Sequence, residues 1–176
     1  MIPKRIGVDF DETIIATVQA SLDLFSQTYS YELTYDQITE HDWYRIAGLN
    51  ISQQDTLDHW GNFFSRHDIH SALPPIPYAI QTLQQLIDDG HDVIIITARQ
   101  QQRSDHITRL WLMRYLPSLV DKIVYCGVND YVTREKYEVC REMNIDFFID
   151  DNLDYALPVA QMGITTFLLQ KPCNLA

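Results

Sequence analysis

Short apolar runs recur along this chain and predict five β-strands. They cover residues 6–8, 92–97, 122–127, 146–150 and 165–169. Each run is about as long as a strand, and turn-forming or polar residues bound it. Continuous apolar runs of this kind are typical of strands that are buried on both faces, as in a parallel sheet.

Segments with helical spacing lie between these runs toward the C-terminus. Apolar residues recur every three or four positions within 77–89, 104–116, 133–143 and 154–162. Ser104 is a candidate N-cap for the second of these segments. Alternating strands and helices predict successive βα units. We therefore expect an α/β fold, with a parallel sheet and helices on both of its faces.

The stretch 18–75 has a different character, because it is rich in aromatic and polar residues. Its apolar spacing is helical only in pieces, as in 18–25, and it ends in the proline-rich connector 73–77. We expect a small helical insert here, placed directly after the first strand. The core would then consist of residues 1–17 together with 76–176.

The amino-acid composition excludes several classes of protein. Hydrophobic residues make up 46% of the 176 residues, which argues against disorder, and the formal net charge of −11 argues against a nucleic-acid polymer as partner. No apolar run approaches the ~20 residues of a membrane span. No secretory signal precedes the first strand, so we expect a cytoplasmic protein that does not bind membranes. The three cysteines and six histidines show no shared metal-ligand spacing and are interpreted as free thiols and as surface or core histidines.

Chemically useful side chains stand at the ends of the predicted strands and at the start of one helical segment. They are Asp9, Asp11, Thr97, Lys136, Asp150 and Asp151. Burying a carboxylate costs several kcal/mol unless it is paired or binds a metal. Ligands of open parallel sheets bind at the carboxyl ends of the strands. The pattern therefore predicts one crevice that holds a cation, a catalytic centre, or both.

The same residues, in the same order, resemble the four motifs of the haloacid dehalogenase superfamily of phosphotransferases. Asp9 to Thr13 matches the Asp-x-Asp-x-Thr motif, and Thr97 matches the hydroxyl residue that ends the second motif. Lys136 matches the lysine motif, and the pair Asp150–Asp151 matches the final acidic motif. The resemblance implies a Rossmann-like sheet with a helical cap inserted after the first strand.

The resemblance also implies roles for individual residues. Asp9 would be the nucleophile and a Mg²⁺ ligand, and Asp11 would be the general acid and base, with its main-chain carbonyl on the metal. The phosphoryl group would be held by Phe10 and Asp11, through the amides of the turn, and by Thr97, Ala98 and Lys136. Asp151 is favoured as a direct metal ligand, and Asp150 would bind directly or through water.

A further likeness concerns the segments 136–140, 148–152 and 156–160. They are similar to the branch that contains 5′(3′)-deoxyribonucleotidases and bacterial relatives provisionally named nucleotidases. This implies a Mg²⁺-dependent phosphomonoesterase that forms an aspartyl-phosphate and acts on nucleoside monophosphates. The alternatives are a phosphatase for another small phosphate, such as a sugar phosphate, and a non-catalytic phosphate or metal binder.

Four positions allow two interpretations each. Arg99 either orients substrate or forms a surface ion pair, and Asp154 is either an outer partner of the metal site or an acid at a helix N-terminus. Trp43 and Tyr44 either stack on a nucleobase or pack inside the insert. Glu12 occupies a position where the family often has glycine, so it could reshape the turn before the insert.

Overall fold

The computed structural model describes residues 2–127 and 133–175 and contains one parallel sheet. Its five strands are β1 (Arg5–Val8), β2 (Asp92–Gln100), β3 (Ile123–Gly127), β4 (Phe147–Asp150) and β5 (Thr165–Leu168). Their order is β3-β2-β1-β4-β5, and every neighbouring pair is parallel. The predicted α/β class and parallel sheet are thereby confirmed.

Seven α-helices accompany the sheet in the described ranges. They are α1 (Val18–Tyr29), α2 (Gln53–Ser65), α3 (His67–Ala72), α4 (Ala79–Asp88), α5 (Gln101–Tyr115), α6 (Lys136–Glu142) and α7 (Leu153–Gln161). Short 3₁₀ turns cover Tyr35–Gln37, Trp43–Arg45, Pro117–Leu119 and Pro172–Asn174. No helix among these residues is long and apolar enough to cross a bilayer.

The alternation of side chains along β2 explains why helices cover both faces of the sheet. Val93 and Ile95 belong to a buried cluster that also contains Leu83 of α4 and Leu112 of α5. Ile94 and Ile96 point the other way, into a second cluster with residues of α6 and α7. Apolar residues at consecutive positions of one strand therefore fill two separate helix–sheet layers.

Two predicted helix starts are wrong by about one turn. The strand β2 continues to Gln100, which pairs with Gly127 of β3, and α5 begins at Gln101. Ser104 is therefore a buried residue of the first turn of α5 and does not cap it. The helix predicted from residue 133 begins at Lys136, because Thr133 forms a β-bridge with Gly127 instead.

The insert, residues 18–75, has its own buried cluster beside the sheet. The cluster contains Leu22 and Phe25 of α1 together with Trp43, and apolar residues between α1 and α2 complete it. Trp43 is only 1% exposed, and its ring lies 5.2 Å from the ring of Phe25 in an edge-to-face contact. The packing interpretation of Trp43 is therefore the one that the structure supports.

Candidate active site

Two acidic strand ends meet at the centre of the sheet. The parallel register pairs Val8 of β1 with Ile149 of β4, and the Asp9 N–H donates to the Ile149 carbonyl over 2.9 Å. Asp9, directly after β1, consequently lies beside Asp150, the last residue of β4, and Asp151 follows. One carboxylate oxygen from each of the three lies within 4.8 Å of the other two, and all three residues are buried. This is the point where the strand order reverses and where open α/β sheets bind ligands.

Lys136, the first residue of α6, joins this group from the side. Its ammonium donates to Asp9 Oδ1 over 2.5 Å and to Asp150 Oδ2 over 2.8 Å, and it lies 4.4 Å from the centre of the Tyr155 ring. Burial alone would lower the pKa of Lys136, but the charges of Asp9 and Asp150 raise it well above its ordinary value. The lysine therefore stays cationic and partly neutralises the acids.

One lysine does not balance the three carboxylates. Burial raises the pKa of Asp9 to about 7, with Lys136 opposing the rise and Asp150 adding to it. Burial, followed by the charges of Asp9 and Asp150, raises the pKa of Asp151 to about 8. A site made only of carboxylate oxygens, and short of positive charge, fits a hard divalent cation such as Mg²⁺.

The two acids at the end of β4 have different surroundings. Asp150 Oδ1 accepts the Asn152 N–H over 2.8 Å, and its Oδ2 accepts from Lys136, so both oxygens already have protein partners. Asp151, by contrast, lines the cavity, and the hydrogen bond that it accepts from Asn174 goes to its main-chain carbonyl and leaves its carboxylate available. This difference favours Asp151 over Asp150 as a direct metal ligand.

Arg99, for which the sequence allowed two interpretations, pairs with the carboxylate of Asp11. Its Nη2 and Nε donate to the two oxygens of Asp11 over 2.6 and 2.8 Å, and its Nη1 donates to the Thr108 hydroxyl over 2.9 Å. The guanidinium lies 4.6 Å from the Phe10 ring centre and 5.1 Å from that of Phe64. The Arg99 side chain is 1% exposed, so the surface-pair interpretation is wrong. Arg99 orients the Asp11 carboxylate.

Some of the residues predicted to hold phosphate line the cavity, and others are buried. Asp11, Ala98 and Lys136 line the cavity. The Thr97 hydroxyl is fully buried and accepts the Arg99 N–H over 3.2 Å. The Phe10 side chain is buried in the core, so only its main chain can take part as predicted. Their roles toward phosphate remain predictions.

Glu12, in the turn after β1, makes contacts that the sequence did not predict. Its φ of 54° is a left-handed conformation that suits glycine, and its side chain is buried. Oε1 accepts the N–H groups of Thr17 and Val18, both over 2.7 Å, which caps α1 in place of a Thr17 side-chain cap. Oε2 accepts from the Tyr35 hydroxyl over 3.0 Å and from Lys171 over 3.4 Å. The carboxylate thus ties the turn after β1 to the insert and to the C-terminal turn. Thr17 is a common N-cap residue type, so nothing in the sequence indicated that Glu12 caps the helix instead.

A cavity of about 430 Å³ opens between the strand ends and the insert. Its lining includes the acidic residues Asp9, Asp11 and Asp151 and the aromatic residues Trp60 and Phe64. These two rings are stacked, with centroids 5.8 Å apart. The volume lies in the range of small-molecule sites, about 300–1,000 Å³. Asp154 is exposed in the first turn of α7, as expected of a helix N-terminal acid.

Solved structures with the same architecture show the fold. A haloacid dehalogenase-like hydrolase from Streptococcus pneumoniae superposes with a TM-score of 0.64 at 9% identity, covering 96% of this chain and 85% of its own. A haloacid dehalogenase family hydrolase from Deinococcus radiodurans, determined with bound phosphate and sodium, gives a TM-score of 0.58 at 16% identity, covering 94% and 79%. The fold is that of haloacid dehalogenase-like hydrolases.

Sequence comparison gives the family within that class. Residues 2–174 match the family described as 5′ nucleotidase, deoxy (pyrimidine), cytosolic type C, and the chain belongs to that family. A nucleotidase of Clostridium acetobutylicum is 23% identical over 177 residues, covering 97% of this chain and 84% of the relative. A Bacillus cereus relative with the provisional name of nucleotidase is 26% identical over 171 residues, covering 97% and 83%. The protein is a phosphatase of the nucleotidase type, as the motifs predicted.

Proposed function

We propose that this protein is a Mg²⁺-dependent 5′-nucleotidase that hydrolyses (deoxy)nucleoside monophosphates through an aspartyl-phosphate on Asp9. One observation carries the proposal. Asp9 lies against Lys136 in a cavity whose lining also includes the aromatic residues Trp60 and Phe64. Such a lining offers charged groups to a phosphate and apolar rings to a base. Stacking on an aromatic ring is worth about 1–3 kcal/mol per base in nucleic-acid sites.

The chemistry needs a nucleophile and a proton shuttle. A free oxygen of the Asp9 carboxylate attacks phosphorus while the bond to the leaving oxygen breaks, and Asp11 gives its proton to that oxygen. Water then attacks the aspartyl-phosphate, Asp11 accepts its proton, and Asp9 and phosphate are released. Lys136 offsets negative charge beside Asp9 in both steps. Because both Asp11 oxygens accept from Arg99, we expect one of these bonds to open so that Asp11 can reach the leaving oxygen of the substrate.

Asp9 and Asp151 would hold the cation, together with the main-chain carbonyl of Asp11. Asp150, whose oxygens also accept from Lys136 and from a main-chain N–H group, would bind it directly or through a water molecule. When bound, Mg²⁺ supplies positive charge to the phosphoryl oxygens and helps to hold the ester for in-line attack. The buried, oxygen-only set of donors is the observation that favours this metal.

We further propose that residues 18–75 form a cap over a core of 1–17 and 76–176, and that the cap selects the substrate. The Glu12 contacts would fix where the cap begins. The free cysteines Cys126, Cys140 and Cys173 agree with a reducing cytoplasm as the site of action.

A phosphate-release assay on ribo- and deoxyribonucleoside 5′-monophosphates and on sugar phosphates tests the proposal. We expect turnover with Mg²⁺, loss of turnover with EDTA, and faster hydrolysis of nucleotides than of sugar phosphates. Asp9→Asn should be inactive, whereas the matched exposed variant Asp154→Asn should keep its activity. Beryllium fluoride should trap an adduct on Asp9. Failure to hydrolyse any phosphate ester would refute the proposal, and a preference for sugar phosphates would refute its substrate class.

A further inference from the structure

Three side chains from distant parts of the chain meet beside the acidic site, and the sequence did not predict that they meet. They are His41 of the insert, Asp151 after β4, and Cys173 of the C-terminal 3₁₀ turn. His41 Nε2 lies 3.3 Å from Cys173 Sγ. One potential ligand atom from each of the three residues lies within 4.8 Å of the others. The group contains nitrogen, oxygen and sulfur donors, in contrast to the oxygen-only group next to it.

The observed spacing is close to that of a metal chelate. Zn²⁺ in proteins is usually tetrahedral, with Zn–S of about 2.3 Å and Zn–N of about 2.0 Å, which puts sulfur and nitrogen about 3.5 Å apart. The Cys173 and His41 atoms are 3.3 Å apart. A cation could therefore bind both with little movement, and the Asp151 carboxylate, which has an oxygen within 4.8 Å of a ligand atom of each, would be the third protein ligand.

The backbone around these ligands is held in place by hydrogen bonds. The Asn174 side-chain amide donates to the carbonyls of Asp151 over 2.6 Å and of Leu169 over 2.8 Å, and its oxygen accepts the Lys171 N–H over 2.9 Å. The turn that carries Cys173 is thus fastened to the end of β4. The backbone of His41 is held by the insert, because Trp43, two residues further along the chain, is buried in the apolar cluster of the insert. A preformed backbone of this kind lowers the cost of assembling a metal site.

The site is also accessible. His41 and Cys173 are half-buried and line a surface cleft, and His41 and Asp151 also line the active-site cavity. Hard Mg²⁺ has no preference for thiolate or imidazole, whereas Zn²⁺ readily takes sulfur, nitrogen and carboxylate ligands together. The donor set therefore distinguishes this group from the Asp9, Asp150 and Asp151 group by the class of cation it suits.

We propose that His41, Asp151 and Cys173 form a second metal site, which binds a thiophilic divalent cation of the Zn²⁺ type, with water in the fourth position. Such a cation would connect the insert to the core and draw Asp151 away from the catalytic metal. Zn²⁺ would therefore inhibit the phosphatase. The inhibition rests on the function proposed above, whereas the binding does not.

Co²⁺ titration of the metal-free protein tests the binding without using activity. A thiolate ligand gives Co²⁺ a near-ultraviolet charge-transfer band that carboxylate sites do not produce. We expect this band in the wild type, its loss in Cys173→Ser, and its retention in Cys126→Ser, which alters a buried thiol elsewhere. Competition of Zn²⁺ with Co²⁺ should show Zn²⁺ binding weakened at least about 100-fold in Cys173→Ser and in His41→Gln, because loss of even an outer-shell partner costs about 10–100-fold.

Inhibition is then measured with saturating Mg²⁺. Zn²⁺ should inhibit the wild type and Cys126→Ser, and a much higher Zn²⁺ concentration should be needed for Cys173→Ser and His41→Gln. Circular dichroism and melting temperature show that each variant is folded. Absence of the charge-transfer band in the wild type, or an equal band in Cys173→Ser, would overturn the metal site. A band that appears in a protein without phosphatase activity would support the metal site and contradict only the proposed function.

Discussion

Asp9→Asn should make the metal-free protein more stable while it abolishes turnover. The substitution keeps the shape of the side chain and leaves an amide oxygen that can accept from Lys136, but it removes one of three buried carboxylate charges. Burial raises the pKa of Asp9 from 3.8 to about 7. The folded protein therefore binds more protons than the unfolded chain between these values, and its stability falls as pH rises through this window.

The size of the expected stability difference follows from the pKa shift of Asp9. About three pKa units at about 1.4 kcal/mol each amount to about 4 kcal/mol of destabilisation by ionised Asp9 above pH 8. Asparagine carries no such charge, so the variant escapes this cost. In a chain of 150–250 residues, each kcal/mol moves the melting temperature by about 2–4 °C. We expect the variant to melt about 8–16 °C above the wild type at high pH, and at nearly the same temperature near pH 4.

Thermal denaturation in EDTA, followed by circular dichroism from pH 4 to 8.5, measures the difference. Asp154→Asn is the control, because it changes an exposed aspartate of the same neighbourhood and should show no pH-dependent gap. Adding Mg²⁺ should narrow the gap, since the cation binds the wild-type carboxylates more tightly. An Asp9→Asn protein that melts at or below the wild type at pH 8.5 without metal would show that the acids are not in electrostatic conflict.

Other perturbations separate the remaining roles. Mg²⁺ should raise the wild-type melting temperature more at pH 8 than at pH 6, because protons compete for the raised-pKa groups Asp9 and Asp151; an unchanged melting temperature at both pH values would contradict a metal site here. Asp11→Asn should lower kcat by about 10²–10⁴-fold with little change in KM, and a larger effect on KM would argue against a proton-transfer role. Arg99→Lys should lower both kcat and melting temperature, because lysine cannot reproduce the paired bonds to Asp11, and wild-type kinetics in this variant would dismiss the orienting role. Trp43→Ala should cost about 3–5 kcal/mol of stability and slow hydrolysis of nucleotides and p-nitrophenyl phosphate alike, whereas a loss confined to nucleotides would restore the stacking interpretation.

Local patterns of apolar residues were sufficient to predict the parallel sheet and the helices that cover it. Apolar runs mark strands because a strand buried on both faces needs consecutive apolar residues, and the spacing of three and four marks helices because it follows the helical turn. The bounds that were wrong lie where a long-range contact overrides local preference. Pairing with Gly127 extends β2 past residue 97 and delays the start of α6.

The sequence by itself determined the sheet, the family and the acids at the strand ends, because each of these depends on short runs of consecutive residues. The contacts that refine the site join residues far apart in the chain. Arg99 reaches Asp11, Glu12 reaches Tyr35 and Lys171, and His41 reaches Cys173. No spacing rule connects such pairs, since they depend on how the insert and the C-terminal turn pack against the strand ends. Only the tertiary structure could decide that Arg99 is buried and that a nitrogen–oxygen–sulfur cluster stands beside the carboxylates.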